Sequence, residues 1–306
     1  MKETTSSQNG ILCINKPQNF TSFDVIAKVR GMTRTRKAGH SGTLDPMATG
    51  VLPIFLGNAT KACSQIPVTD KRYRAGVKLG LTTDTQDVWG NLLKEDPRPV
   101  TRSQLETALS AFRGDIFQLP PMYSAVQVNG KRLYELARKG VEVERTPRPV
   151  TIYSLELLSY DEASREAVLD VFCSKGTYVR TLCHDLGEAL GCGAAMSSLT
   201  RTEAAGFSLA DCRTLEELQT LVDESRLSEA ILPVEQLFSS LPKIHLSEVQ
   251  TRMFTNGVHL DLNRVRHQNV PGPHAVYGPG NVFLGLGLCY EDIAELVMEK
   301  LFLQRS

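Results

Sequence analysis

Two segments in the middle of the chain, residues 151–160 and 167–173, have the β-branched, alternating character of strands and are joined only by the polar run Asp161-Glu162-Ala163-Ser164-Arg165-Glu166. They read as a β-hairpin. That hairpin constrains the fold most, because the other elements do not build a repeating strand–helix–strand pattern around it. Residues 10–15 read as a short buried strand, 74–79 as a strand stopped by Gly80, and 21–30, 101–112, 179–190 and 215–221 as helices. The first helix opens on Thr21-Ser22-Phe23-Asp24 with a hydroxyl N-cap. The second sets Leu105, Ala108, Leu109 and Phe112 on one face and meets its stop at Gly114. Strands and helices alternate without the even spacing of a doubly wound parallel sheet, so the expected class is α+β.

The 306 residues allow one large and one small domain. Residues 1–9 form a Ser/Thr-rich leader expected to be flexible, and residues 10–240 a main domain. Within it, residues 124–149 are polar, basic and turn-rich around Asn129-Gly130, offer little apolar surface, and read as a protruding insertion. Beyond about residue 241, Pro271-Gly272-Pro273 and Tyr277-Gly278-Pro279-Gly280 precede the strand-like segment 282–289. Residues 241–306 are therefore expected to form a small, mainly β domain, ending in a segment, 292–302, with helical character.

One loop is not explained by packing. In Gly39-His40-Ser41-Gly42-Thr43-Leu44-Asp45-Pro46-Met47-Ala48-Thr49-Gly50-Val51-Leu52, three glycines allow tight turning and Pro46 fixes the backbone just after a single acid, Asp45. Taken alone, Asp45 fits a turn or helix cap begun at Pro46.

The same run resembles the catalytic motif of the TruB family of tRNA pseudouridine synthases, and the resemblance continues in order along nearly the whole chain. Its other segments are Gly10-Ile11-Leu12-Cys13-Ile14-Asn15-Lys16-Pro17, Lys71-Arg72-Tyr73-Arg74, Pro120-Pro121-Met122-Tyr123-Ser124-Ala125 and Cys173-Ser174-Lys175-Gly176-Thr177-Tyr178-Val179-Arg180-Thr181. Ser41 stands where the family more often has Thr, which keeps the small hydroxyl. The resemblance implies an α+β core on a mixed, mainly antiparallel sheet, a PUA-like C-terminal RNA-binding module, and isomerisation of uridine 55 in the TΨC loop of tRNA without metal, nucleotide or redox cofactor. It implies roles as well. Asp45 is the nucleophile, Tyr73 stacks on a flipped-out base with its hydroxyl a candidate proton acceptor, and Tyr178 and Leu199 line the pocket. His40 fills the space that flipped bases vacate, and Lys16 lies near the base of the site.

Chemistry adds a requirement. A lone carboxylate in a dry pocket calls for a fixed cation, and Arg180 can hold Asp45 through a fork of hydrogen bonds. The formal net charge is zero, which argues against coating nucleic acid by global electrostatics, so RNA contacts must be local. Arg34, Arg36 and Lys37 form one basic patch, and Arg132, Arg138, Lys139, Arg145 and Arg148 a second; both are candidate phosphate-contacting sites. Position 47 is Met, not the second Asp of an aspartyl-phosphate motif, and Gly285-Leu286-Gly287 is only a fragment of a dinucleotide fingerprint. Seven cysteines at irregular spacing fit reduced thiols, and Cys183, His184 and Cys192 lack the paired spacing of a zinc site. No apolar run is long enough for a membrane span. A cytoplasmic monomer acting on a tRNA T stem-loop is expected. The alternative is an RNA-binding or RNA-folding chaperone without catalysis, for which a buried Asp45 paired with Arg180 would have no use.

Overall fold

The computed structural model describes residues 8–128, 130–266 and 270–303. Strand β1 (Gly10–Lys16) is followed by α1 (Ser22–Thr33), β2 (Ala38–His40), β3 (Thr49–Leu56) and β4 (Lys71–Leu79). A small side hairpin, β5 (Leu81–Thr83) and β6 (Leu92–Glu95), precedes α2 (Arg102–Ser110) and β7 (Gly114–Gln118). The insertion carries β8 (Gln127–Val128), β9 (Lys131–Arg132) and α3 (Leu133–Ala137). Then come β10 (Arg148–Asp161), β11 (Glu166–Cys173), α4 (Val179–Leu190), β12 (Ala194–Ala204), β13 (Phe207–Ser208) and α5 (Leu215–Asp223).

Among the described residues nine of these strands make one sheet, in the order β1-β3-β12-β4-β11-β10-β7, with β2 added to β3 and β13 to β12. The hairpin read from the sequence is β10–β11, closing at Asp161 opposite Glu166. Pairing is antiparallel throughout except where β12 meets β3, Thr200 against Thr49 and Arg201 against Gly50. That junction demands a glycine: Gly50 has φ +105°, and a Cβ there would collide with the Arg201 carbonyl.

Helices cover two stretches of the sheet. At the β1–β3 end, Val25, Ile26 and Val29 of α1 and Leu215 and Leu218 of α5 pack on Leu12, Ile14, Leu52 and Ile54. At the β4–β11 end, Leu105 and Leu109 of α2 and Leu182 and Leu186 of α4 pack on Ala75, Val77, Leu169 and Val171. The start of α1 follows the sequence closely, since Thr21 and Asp24 form a reciprocal capping box. Asn129, in the turn expected at Asn129-Gly130, and residues 1–7 of the expected leader lie outside the described residues. The insertion is better anchored than its composition implies. Leu133 is fully buried, its N–H donates to the Val126 carbonyl at 2.8 Å, and the Tyr134 N–H donates to the Ser124 carbonyl at 3.0 Å.

A second sheet follows residue 241. It runs β14-β16-β17-β18-β15, from β14 (Lys243–His245), β15 (Leu260–Asp261), β16 (Gly272–Gly278), β17 (Val282–Tyr290) and β18 (Glu295–Leu301), with α6 (Glu248–Thr255) beside it. The helical expectation for 292–302 is overturned: β18 pairs antiparallel with β17 from Glu295 opposite Tyr290 to Leu301 opposite Gly285. Local helix-forming residues yield here to tertiary pairing, because a strand buries Leu296 completely against Gly287 and completes the hydrogen-bonding edge of β17. None of the described helices is long and apolar enough to cross a membrane.

Candidate active site

The start of α1 fixes the loop that carries Asp45. Ser22, fully buried at the first turn, accepts from the Leu44 N–H at 2.9 Å and donates to the Leu44 carbonyl at 3.3 Å, holding the residue before Asp45 from both sides. The Pro46 carbonyl, just after it, accepts from the Asn19 N–H at 2.9 Å and from Lys16 Nζ at 3.0 Å. With both neighbours tied down, the Asp45 carboxylate is aimed outward and is 41% exposed, as a group that must meet an external ligand has to be.

Arg180, one residue into α4, reaches it from the other side. Its Nε lies 3.0 Å from Asp45 Oδ2, while its side chain is only 6% exposed. The expected two-pronged fork is corrected by this geometry. Only Nε serves Asp45; Nη1 faces Asp87 at 3.7 Å and donates to the Thr85 carbonyl at 3.3 Å, and Nη2 donates to the Tyr123 carbonyl at 2.9 Å. The guanidinium is thus locked by the β5–β6 hairpin and by the mouth of the insertion.

Asp45 and Arg180 line a cavity of about 90 Å³ with Thr43, Leu44, Tyr73, Thr177, Tyr178, Val179 and Leu199. Tyr73 on β4 and Leu199 on β12 are buried, and burial pushes the Tyr73 phenol up to about 12, so it is a neutral phenol near pH 7. Tyr178 stands at the N-cap of α4, where the buried Gln118 clamps it: its N–H donates to Gln118 Oε1 at 2.9 Å, and Gln118 Nε2 donates back to its carbonyl at 3.3 Å. A wider groove of about 660 Å³ opens along α1, lined by Phe20, Asp24, Lys28, Met32 and Gln219, but its one carboxylate, Asp24, is committed to capping the helix.

The other expected residues divide. His40 is half-buried, edge-on to Phe23 with ring centroids 5.9 Å apart, and its Nδ1 accepts from the Gly42 N–H at 3.1 Å. Burial and then the charge of Arg201 lower its pKa, so the ring is held neutral. Lys16 is not a substrate contact but an internal brace: it is fully buried, and Nζ donates to the carbonyls of Pro17, Phe20 and Pro46. A lysine at a strand end reads as solvated; here the chain turns over it and supplies three carbonyl acceptors. Arg34, Arg36 and Lys37 are exposed between α1 and β2. In the insertion, Arg132, Arg138 and Lys139 are exposed, with the guanidinium carbons of Arg132 and Arg138 5.9 and 5.5 Å from the Tyr134 ring centroid. Arg145 is engaged internally, donating to the Pro120 carbonyl at 3.2 Å and to Glu142 at 2.8 Å, and so is corrected from phosphate contact to brace. Arg148 is exposed at the first position of β10.

Four residues of this site were not read from the sequence: Ser22, Asp87, Gln118 and Arg201. Asp87 alone left a trace, in the acid- and hydroxyl-rich Thr82-Thr83-Asp84-Thr85-Gln86-Asp87. The others are polar residues made functional by burial, which only the fold reveals.

Comparison with known proteins bears on the same residues. The model of the TruB family pseudouridylate synthase N-terminal domain matches residues 30–179, and that of the tRNA pseudouridylate synthase B C-terminal domain matches residues 180–239. The chain is 42% identical over 299 residues to the tRNA pseudouridine synthase B of Clostridium perfringens, covering 97% of this chain and 99% of that one. It is 47% identical over 249 residues to the protein of the same name from Chromobacterium violaceum, covering 81% and 80%. Among solved structures, a chain of a Cbf5-Nop10-Gar1 complex superposes with a TM-score of 0.75 at 27% identity, covering 97% of this chain and 85% of that one. A chain of an H/ACA RNP bound to a substrate RNA containing 2′-deoxyuridine gives 0.74 at 25%, covering 97% and 86%. An ion-paired aspartate on a braced loop, set between a buried tyrosine and a clamped one, together with matches spanning residues 30–239, establishes that this chain belongs to the TruB family of pseudouridylate synthases.

Proposed function

We propose that the protein isomerises uridine 55 in the TΨC loop of tRNA to pseudouridine, with Asp45 as nucleophile, acting as a cytoplasmic monomer on the T stem-loop. The observation that carries this reading is the ion pair of Asp45 with Arg180 at the wall of a cavity lined by Tyr73, Tyr178 and Leu199. A cavity that small accepts one planar ring and leaves sugar and phosphates outside, which requires the target nucleotide to be swung out of its stack. The glycosidic N1–C1′ bond breaks, the uracil turns, C5 bonds to C1′, the C5 proton leaves and N1 is protonated, so the reaction is an isomerisation with no redox change. Arg180, held by two carbonyls and Asp87, keeps Asp45 aimed through the rotation. The exposed Arg34, Arg36 and Lys37, with Arg132, Arg138 and Lys139, would take phosphates on either side of the loop.

The test is release of tritium from C5-labelled uridine in a T stem-loop RNA. Asp45→Asn is expected to abolish release while leaving RNA affinity within about twofold, since the amide keeps the shape and loses the nucleophile. Release from an RNA whose position 55 is cytidine, or turnover by Asp45→Asn, would refute the assignment.

A further inference from the structure

Arg201, on β12, is the largest fully buried side chain among the described residues. Its Nε donates to the Val51 carbonyl at 2.8 Å and its Nη2 to the Gly42 carbonyl at 3.1 Å, while Nη1 is buried without a hydrogen-bond partner. Among the described residues no carboxylate stands against it; the groups that feel it are Tyr73, Cys212, Lys16, His40 and Lys71. A guanidinium cannot shed its proton, so burying one without a counter-ion is costly and calls for a use.

Placement supplies the use. Across the antiparallel β4–β12 pair Arg201 lies directly opposite Tyr73, so the two side chains share a face. Gly42 lies three residues before Asp45, and Val51 follows the Gly50 junction of β3 with β12. A single guanidinium thereby holds both ends of the nucleophile's loop, on the face of the sheet that carries the pocket aromatic. Its charge also pulls against the burial that raises the Tyr73 phenol.

We propose that Arg201 is a positioning residue for the reaction: a buried cation without a counter-ion that ties the Asp45 loop to β3 and β12 and sets the electrostatic environment of the Tyr73 hydroxyl. A guanidinium only donates, so the Tyr73 hydroxyl can meet Arg201 through its oxygen alone, with the phenol proton turned away. The inference deepens the function proposed above and rests on it for the substrate.

The test places a fluorinated tyrosine at position 73 and follows its ionisation by fluorine NMR in RNA-free protein, beside single-turnover rates on a T stem-loop. Arg201→Met is expected to raise the fluorophenol titration by about one pH unit or more, and to slow turnover by roughly tenfold or more with RNA affinity within about twofold. Arg201→Lys keeps the charge and loses the fork, so its phenol should titrate near the wild-type position and its rate fall between the two. A phenol unmoved in Arg201→Met overturns the proposal. Should Arg201→Met fail to fold, Arg201→Lys decides: a wild-type rate overturns the proposal, and a reduced rate at unchanged affinity and unchanged circular dichroism supports it. Failure of the wild type to turn over the T stem-loop would count against the proposed function alone, because the phenol titration reads Arg201 without RNA.

Discussion

Lys16 shows how much of this site is built from side chains that never meet the substrate. Burial, partly offset by Asp45, lowers its pKa to about 8 from the ordinary 10.5. Between those two values the unfolded chain holds a proton that the folded chain has released, so Lys16 makes stability rise with pH across that window and lose that contribution as pH falls through 8. Comparing urea midpoints of wild type and Lys16→Met at about pH 7 and about pH 10 isolates this group, because the other titrations cancel in the difference. The wild type is expected to gain on the variant at the higher pH, and equal shifts in both proteins would show that Lys16 keeps an ordinary pKa. At this scale the sequence was a partial guide. Asp45 stood out because nothing about packing asked for an acid among glycines, and Arg180 because an enclosed acid would need a cation, although it is Arg180 that is buried and Asp45 that is 41% exposed. Ser22, Gln118 and Arg201 carry no such mark, since their importance comes from which backbone groups the fold brings within reach.

Single elements hold the site by their ends. The first turn of α1 holds Leu44, and Gln118, at the end of β7, holds Tyr178 at the start of α4. Gln118→Leu would leave the N–H of Tyr178 without its partner, while the carbonyl keeps the Leu182 N–H at 3.0 Å, a loss of about 1–3 kcal/mol for a buried group. We expect that fall in unfolding free energy, and a kcat reduced by roughly tenfold with KM little changed, because the ring that walls the cavity loses its anchor. A lower stability with unaltered kcat would make the clamp purely structural. The insertion acts at the same scale. Two of its exposed cations, Arg132 and Arg138, gather at one aromatic, Tyr134, with Lys139 exposed beside them; removing charge from the three together should raise the KM for tRNA and flatten its dependence on salt, with chemistry on bound RNA less affected. An unchanged salt slope would place the phosphates elsewhere. Long periodic segments such as the β10–β11 hairpin and α4 were legible because their patterns are local. The strand β18 was not, because its conformation is dictated by the open edge of β17, a neighbour that the 292–302 window does not contain.

Across the whole molecule the two sheets share a core. Phe238, from the end of the first unit, stacks on Phe283 of β17 and on Phe302 just after β18, with ring centroids 6.0 and 5.6 Å apart. Ile11, Val51 and Phe55 of the large sheet belong to the same buried cluster as Ala275, Tyr277 and Leu286 of the small one. Polar bonds cross beside them: Tyr277 donates to Glu235 at 3.0 Å, and Asn58 and Lys61 donate to the carbonyls of Leu303 and Leu301 at 3.2 Å each. The change of composition near residue 241 marks where the second sheet begins, but it conceals the continuity of packing across that point. Domains that could part freely would meet through a smaller, more polar interface. This one passes aromatic rings through the boundary, and β1 and β3, whose ends hold Lys16 and Gly50, lie directly on it. The two units are therefore expected to unfold as one. Calorimetry should give a single transition with calorimetric and van't Hoff enthalpies equal, and Phe302→Ala should lower its midpoint as a whole, at a cost of about 3–5 kcal/mol. A Phe302→Ala protein that showed an early transition of the small sheet, followed by a late one at the wild-type temperature, would instead mean that the large sheet stands without its neighbour, and that the C-terminal unit docks on a finished fold.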